Sequence, residues 1–154
     1  MARRRGGHYT DSKHYERWLG QAEEDIHSAR LLIGDPDCYN SAAFHCQQTI
    51  EKALKAYILL KSNILVDGHN LTWLCKQAVK YDKEFAGWLA QSASLNRFYI
   101  ETRYPADIPL DISKEDIGGY YETAYEMFAF IKQEVDEIND KNAAHPRQRN
   151  LREA

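Results

Sequence analysis

Apolar residues recur every three or four positions along most of the chain, the spacing that puts them on one face of a helix. The first such stripe, Trp18, Ala22, Ile26, Ala29 and Leu32 or Ile33, predicts a helix over residues 12 to about 33, with Ser12 as its cap and Glu23, Glu24, His27 and Arg30 facing water. Gly34-Asp35-Pro36-Asp37 ends it, because proline cannot continue a helix and glycine is favoured just past its end. So short a turn makes the next helix an antiparallel neighbour. That helix covers residues 42–60 without Gly or Pro, its apolar face being Ala43, Ile50, Leu54 and Tyr57 or Ile58. After a loop containing Asp67-Gly68, Leu71, Leu74, Ala78 and Val79 predict a shorter helix capped by Asn70. A break near residues 81–83 precedes a fourth helix with Phe85, Trp88 or Leu89, Ser92, Leu95, Tyr99 and Ile100 on one face. Pro105 and Pro109 make residues 102–112 a loop. Ser113 and the acids behind it open a last helix whose stripe, Ile117, Tyr121, Ala124, Phe128, Ile131, Val135 and Ile138, is a bundle seam. With no alternating strand pattern and no internal repeat, the fold class is all-α, an up-and-down bundle of four to five helices.

The second helix carries a departure from this pattern. Gln48, Glu51 and Lys55 follow Phe44 at helical spacing and form a polar stripe beside the apolar one, with Glu51 ahead of Lys55 in the favourable order for an ion pair. Such a stripe either faces solvent at the edge of the core or lines a polar groove between helices.

Charge and composition narrow the setting. At 154 residues the chain suits one domain with a sizeable core, and no apolar run approaches the roughly 20 residues that span a bilayer. Cys38, Cys46 and Cys75 are widely spaced and form neither a zinc motif nor a disulfide framework, which points to a reducing cytoplasm. Residues 1–14 and residues 141–154 each hold four basic side chains and one acid, so each tail is +3; with −3 overall, the body between them is −9. A nucleic-acid surface needs clustered Lys and Arg, and only the tails supply them. The expected organisation is a flexible basic arm over residues 1–11, a helical bundle over 12–140, and a basic tail over 141–154 that could hold RNA.

Few residues carry chemistry. Gly6-Gly7 and Gly118-Gly119 lack the context of a phosphate loop. His45 and Cys46, adjacent on a helix, point about 100° apart and form no nucleophile pair, leaving Cys46 as a core residue. Asp107 and Asp111, four apart, could meet a cation or stay solvated. His69, at the mouth of a helix, is a turn residue or a general base. Arg103-Tyr104-Pro105 fixes an arginine and a tyrosine near the bundle rim, where the guanidinium either binds a carboxylate or phosphate, or pairs with Glu51 or Asp25 to hold the loop down.

Taken in order, Ala22 to Asp25 with Ala29, the run Phe44-His45-Cys46-Gln47-Gln48-Thr49-Ile50-Glu51-Lys52-Ala53-Leu54-Lys55-Ala56, His69-Asn70-Leu71 with Leu74, and Arg103-Tyr104-Pro105 before a long last helix resemble the prokaryotic HEPN domain family over residues 12 to about 138. The resemblance implies a HEPN-like bundle that pairs as a homodimer and is often encoded beside a minimal nucleotidyltransferase in a toxin–antitoxin-type module. Many members are metal-independent endoribonucleases with an Arg and a His four to six residues apart near the start of the last helix. This chain departs from that: after Arg97 and Arg103 the next histidine is His145, and the formal match of Arg3 with His8 sits in the Gly-containing arm.

For members without the pattern, the resemblance implies a non-catalytic module binding a nucleotide or its nucleotidyltransferase partner. The matching positions are Gln48, Glu51, Lys55, His69, Arg103 and Tyr104. Lys55 and Arg103 can neutralise phosphates and Tyr104 can stack on a base, while the −9 body makes ATP or GTP dependent on magnesium or a focused basic pocket. The alternative is an endoribonuclease with a non-standard site, His69 with Arg103 and Tyr104 being the catalytic candidates.

Overall fold

The computed structural model describes residues 11–101, 105 and 111–144, and of Ile100 and Glu101 only the backbone. Arg103 and Tyr104 lie outside the described residues, as do Asp107, His145, most of the basic arm with Arg3 and His8, and the tail beyond residue 144. Among the described residues the chain is all-helical: α1 (Tyr15–Leu32), α2 (Tyr39–Ser62), α3 (Leu71–Val79), α4 (Leu89–Asn96), α5 (Phe98–Glu101) and α6 (Lys114–Ala144), with 3-10 turns at Pro36–Cys38 and Lys83–Trp88. Arg97 keeps helical dihedrals between α4 and α5, so these two act as one segment and five helices result, as the periodicity predicts.

Helix α2 is the axis of the bundle, packing against α1, α6, α3 and the α4–α5 segment. Its small residues Ala42, Ala43, Ala53 and Ala56 are fully buried and let neighbouring backbones approach, while Ile50, Leu54 and Tyr57 fill the space between helices. Each such large apolar side chain contributes about 1.5–3 kcal/mol by leaving water. Asn63, in the left-handed region at φ 58°, closes α2 by donating its N–H to the Leu59 carbonyl at 2.9 Å.

Local signals explain the other ends. Asn70 Oδ1 accepts from the Trp73 N–H at 3.0 Å and caps α3. Ser113 Oγ accepts from the Asp116 N–H at 3.0 Å, and Asp116 Oδ2 accepts from the Ser113 N–H at 3.4 Å, a reciprocal cap that starts α6. Ser12 binds the His14 N–H at 3.2 Å, but His14 is the residue that precedes α1 and it caps with no side-chain bond. The expected fourth helix is divided: Asp82 Oδ1 takes the Glu84 N–H at 2.9 Å and winds residues 83–88 as a 3-10 turn, which drives Phe85 into the core against the Tyr57 ring at 4.5 Å. Helix α6 buries Ile117, Ala124, Phe128, Ile131 and Val135 from the expected seam together with Met127, and continues through Ala144.

Candidate functional site

The polar stripe on α2 is buried rather than solvated. Glu51 is 4% exposed and Lys55 5%, beneath the loop that joins α2 to α3. Two unlike charges out of water must bond each other or other polar groups. Lys55 Nζ donates to Glu51 Oε2 at 3.4 Å and stands over the Trp18 ring of α1, 5.6 Å from its centroid. Trp18 is fixed in turn by its indole N–H on the Ser12 carbonyl at 2.7 Å. Gln47 Nε2 donates to Glu51 Oε1 and to the His69 carbonyl, both at 3.4 Å, and its own Oε1 accepts from Gln48 Nε2 at 2.8 Å.

His69 completes the network from outside. Gly68, at φ 109°, makes a turn that a side-chain-bearing residue would strain, with Asp67 Oδ1 accepting the Gly68 N–H at 2.7 Å. The chain then delivers the imidazole to Glu51, where Nδ1 lies 2.9 Å from Oε1. Against an ionised carboxylate, Nδ1 is the donor, and among the described residues Nε2 has no partner. The ring is half exposed and stacks on Tyr99, with centroids 4.6 Å apart and planes 12° from parallel. Gln48, Glu51, Lys55 and His69 are thus brought together as one cluster, a bonded chain of polar groups between α1, α2 and the His69 turn.

A second cluster lies along α1 and α2. Asp25, 8% exposed, takes Lys52 Nζ at 2.6 Å and His45 Nδ1 at 2.8 Å. Burial pushes its carboxyl up, but the hydrogen bonds and charges of His45 and Lys52 outweigh burial and hold it below the ordinary carboxylate value. The sequence reading did not place Asp25, His45 and Lys52 together; the available signal was an acid between Ala22 and Ala29 on the apolar face of α1. Cys46, beside His45, is fully buried and its thiol is pushed up to about 12 by burial, so it is core and not a nucleophile.

Trp18 also lines a cleft of about 470 Å³ with Arg17, Gln21, Glu24 and Asp11, a volume in the range of small-molecule sites. Between α4 and α5 the Arg97 guanidinium donates to the Tyr120 hydroxyl and lies over the Phe98 and Tyr120 rings at 4.9 and 5.2 Å. Among the described residues, no helix is long and apolar enough to cross a membrane.

Comparison with known proteins places these features. A Methanocaldococcus jannaschii protein described as "Putative toxin MJ1304" is 27% identical over 99 residues, a match covering 60% of this chain and 64% of that relative, less than two-thirds of its length. The crystal structure of TT1696 from Thermus thermophilus superposes with a TM-score of 0.66 at 25% identity, covering 79% of this chain and 98% of that one. The structure of ST0689, an archaeal HEPN homologue, gives 0.62 at 26% identity over 80% and 99% of the two chains. The HEPN domain profile matches residues 15–135, which spans α1 through most of α6 and contains both polar clusters. The chain belongs to the HEPN domain family.

Proposed function

We propose that this chain is the HEPN member of a toxin–antitoxin-type pair, a cytoplasmic homodimer that acts as a non-catalytic module binding a nucleotide, a minimal nucleotidyltransferase, or both. The similarity to a protein described as a toxin supports the system. Its three cysteines are all free thiols, in keeping with a reducing compartment. The closure of the Glu51 cluster carries the preference for binding over catalysis. Lys55 is buried and spent on Glu51 and Trp18, so that cation is not presented to a scissile phosphate. What the cluster presents is a recognition edge, the fixed His69 ring on Tyr99 and the half-buried Gln48. A base would enter the cleft beside Trp18, and Arg103 with Tyr104 are the sequence's candidates for contacting the phosphates. The −9 body equally suits a basic partner protein.

Calorimetric titration with ATP and GTP, with and without magnesium, tests the nucleotide on the native chain and on Trp18→Ala and Arg103→Ala. Saturable binding weakened by both substitutions supports the cleft. Absence of heat in every condition overturns the nucleotide, and the partner is then tested by co-purification with the product of the adjacent gene.

One observation favours a second reading. A buried carboxylate holding Nδ1 of a half-exposed histidine is the arrangement that readies Nε2 as a general base. On that reading the chain is a metal-independent endoribonuclease in which His69 takes the ribose proton, Arg103 and Tyr104 stabilise the phosphate, and the basic tails hold RNA. Cleavage of RNA in the presence of a chelator, abolished by His69→Ala, would establish it; no cleavage leaves the binding module.

A further inference from the structure

We propose that Asp82, Glu84 and Glu134 form a site for a small, hard divalent cation of the magnesium, manganese or calcium class, which pins the turn after α3 to α6. The three carboxylates come from two elements far apart in sequence. Asp82 opens the 3-10 turn and is held by the Glu84 N–H, Glu84 lies within that turn, and Glu134 projects from the middle of α6. One oxygen from each lies within 4.8 Å of the other two, close enough to converge on one ion. The donor set is all oxygen, which favours these ions over zinc or copper.

A second observation points into the same place. The Tyr57 hydroxyl is fully buried and, among the described residues, has no hydrogen-bond partner, against the rule that buried polar groups are satisfied. Its ring packs on Phe85, the neighbour of Glu84, and the charges that bear on the hydroxyl are those of Asp82 and Glu134. It is the group available to hold a water of the ion's shell. Burial, then the hydrogen bond and charge of Asp82, push the Glu134 carboxyl up to about 7, while Asp82 is held low by its bonds to Glu134 and the Glu84 N–H. Lys61 and Lys141 also act on Asp82, lowering its carboxyl, and Glu137 and Glu84 act on Glu134, raising it.

Calorimetry with manganese, magnesium and calcium chlorides at about pH 8, above the Glu134 titration, tests the site on the full chain, Glu134→Gln, Glu84→Gln and Tyr57→Phe. The expected result is one ion per chain with Kd on the order of 0.1–1 mM, weakened about tenfold or more by either carboxamide and less by Tyr57→Phe. Both glutamates are at least partly exposed, so their amides fold, which circular dichroism verifies. No saturable heat with any of the three ions, or isotherms unchanged in both carboxamides, overturns the proposal and leaves Asp82 and Glu134 as a proton-sharing pair.

Discussion

At the scale of the residue, Glu51 is the member on which the central cluster depends. Glu51→Ala strands the Lys55 ammonium away from water without a counter-charge and should cost about 3–5 kcal/mol in urea unfolding. Asp25 makes a different prediction. A carboxyl whose pKa is lower folded than unfolded stabilises the protein above its unfolded pKa, and that stability is lost as pH falls through the folded value. With an ordinary value of 3.8 and a folded value below it, the loss opens near pH 3.8 and deepens on further acidification. Asp25→Asn should therefore be less stable at neutral pH and show a shallower acid limb when thermal midpoints are compared across that range. Gln48, Glu51, Lys55 and His69, which the structure clusters, stand out in the sequence because their spacing or their turn is visible. The sequence could not pair Asp25 with His45 and Lys52, since a contact between residues 20 and 27 positions apart depends on how α1 rolls against α2.

At the scale of the element, the long amphipathic helices were legible because helical periodicity and a seam of apolar residues agree over α1, α2 and α6. The segment after α3 was not: its spacing also fits a helix, and the short bond from Asp82 to the Glu84 N–H is what tightens it into a 3-10 turn. Helix starts depend on single side chains, so Ser113→Ala should cost about 1 kcal/mol by opening the reciprocal cap of α6, measured by denaturant midpoint. Gly68→Ala places a side chain at φ 109° and should destabilise by about 1 kcal/mol or more. It should also shift the NMR signals of the His69 ring, because that turn is what lays the imidazole on Glu51.

At the scale of the whole molecule, Glu134 links the contact between α6 and the turn after α3 to pH. Its carboxyl has a higher pKa folded than unfolded, so its contribution to stability is present below about pH 4.5 and is lost as pH rises to about 7. Glu134→Gln should unfold at a higher temperature than the native chain at pH 8, with the gap closing on acidification through that window. The buried Glu51–Lys55 pair has a consequence of another kind, for ancestry and engineering. Apolar residues of similar size often replace a buried ion pair without loss of stability, so a double replacement, Glu51→Leu with Lys55→Met, should fold as well as the native chain while setting His69 adrift. Drift toward such a core is open to any lineage in which only folding is selected, and the retained charges would then mark the lineages in which His69 still has work to perform.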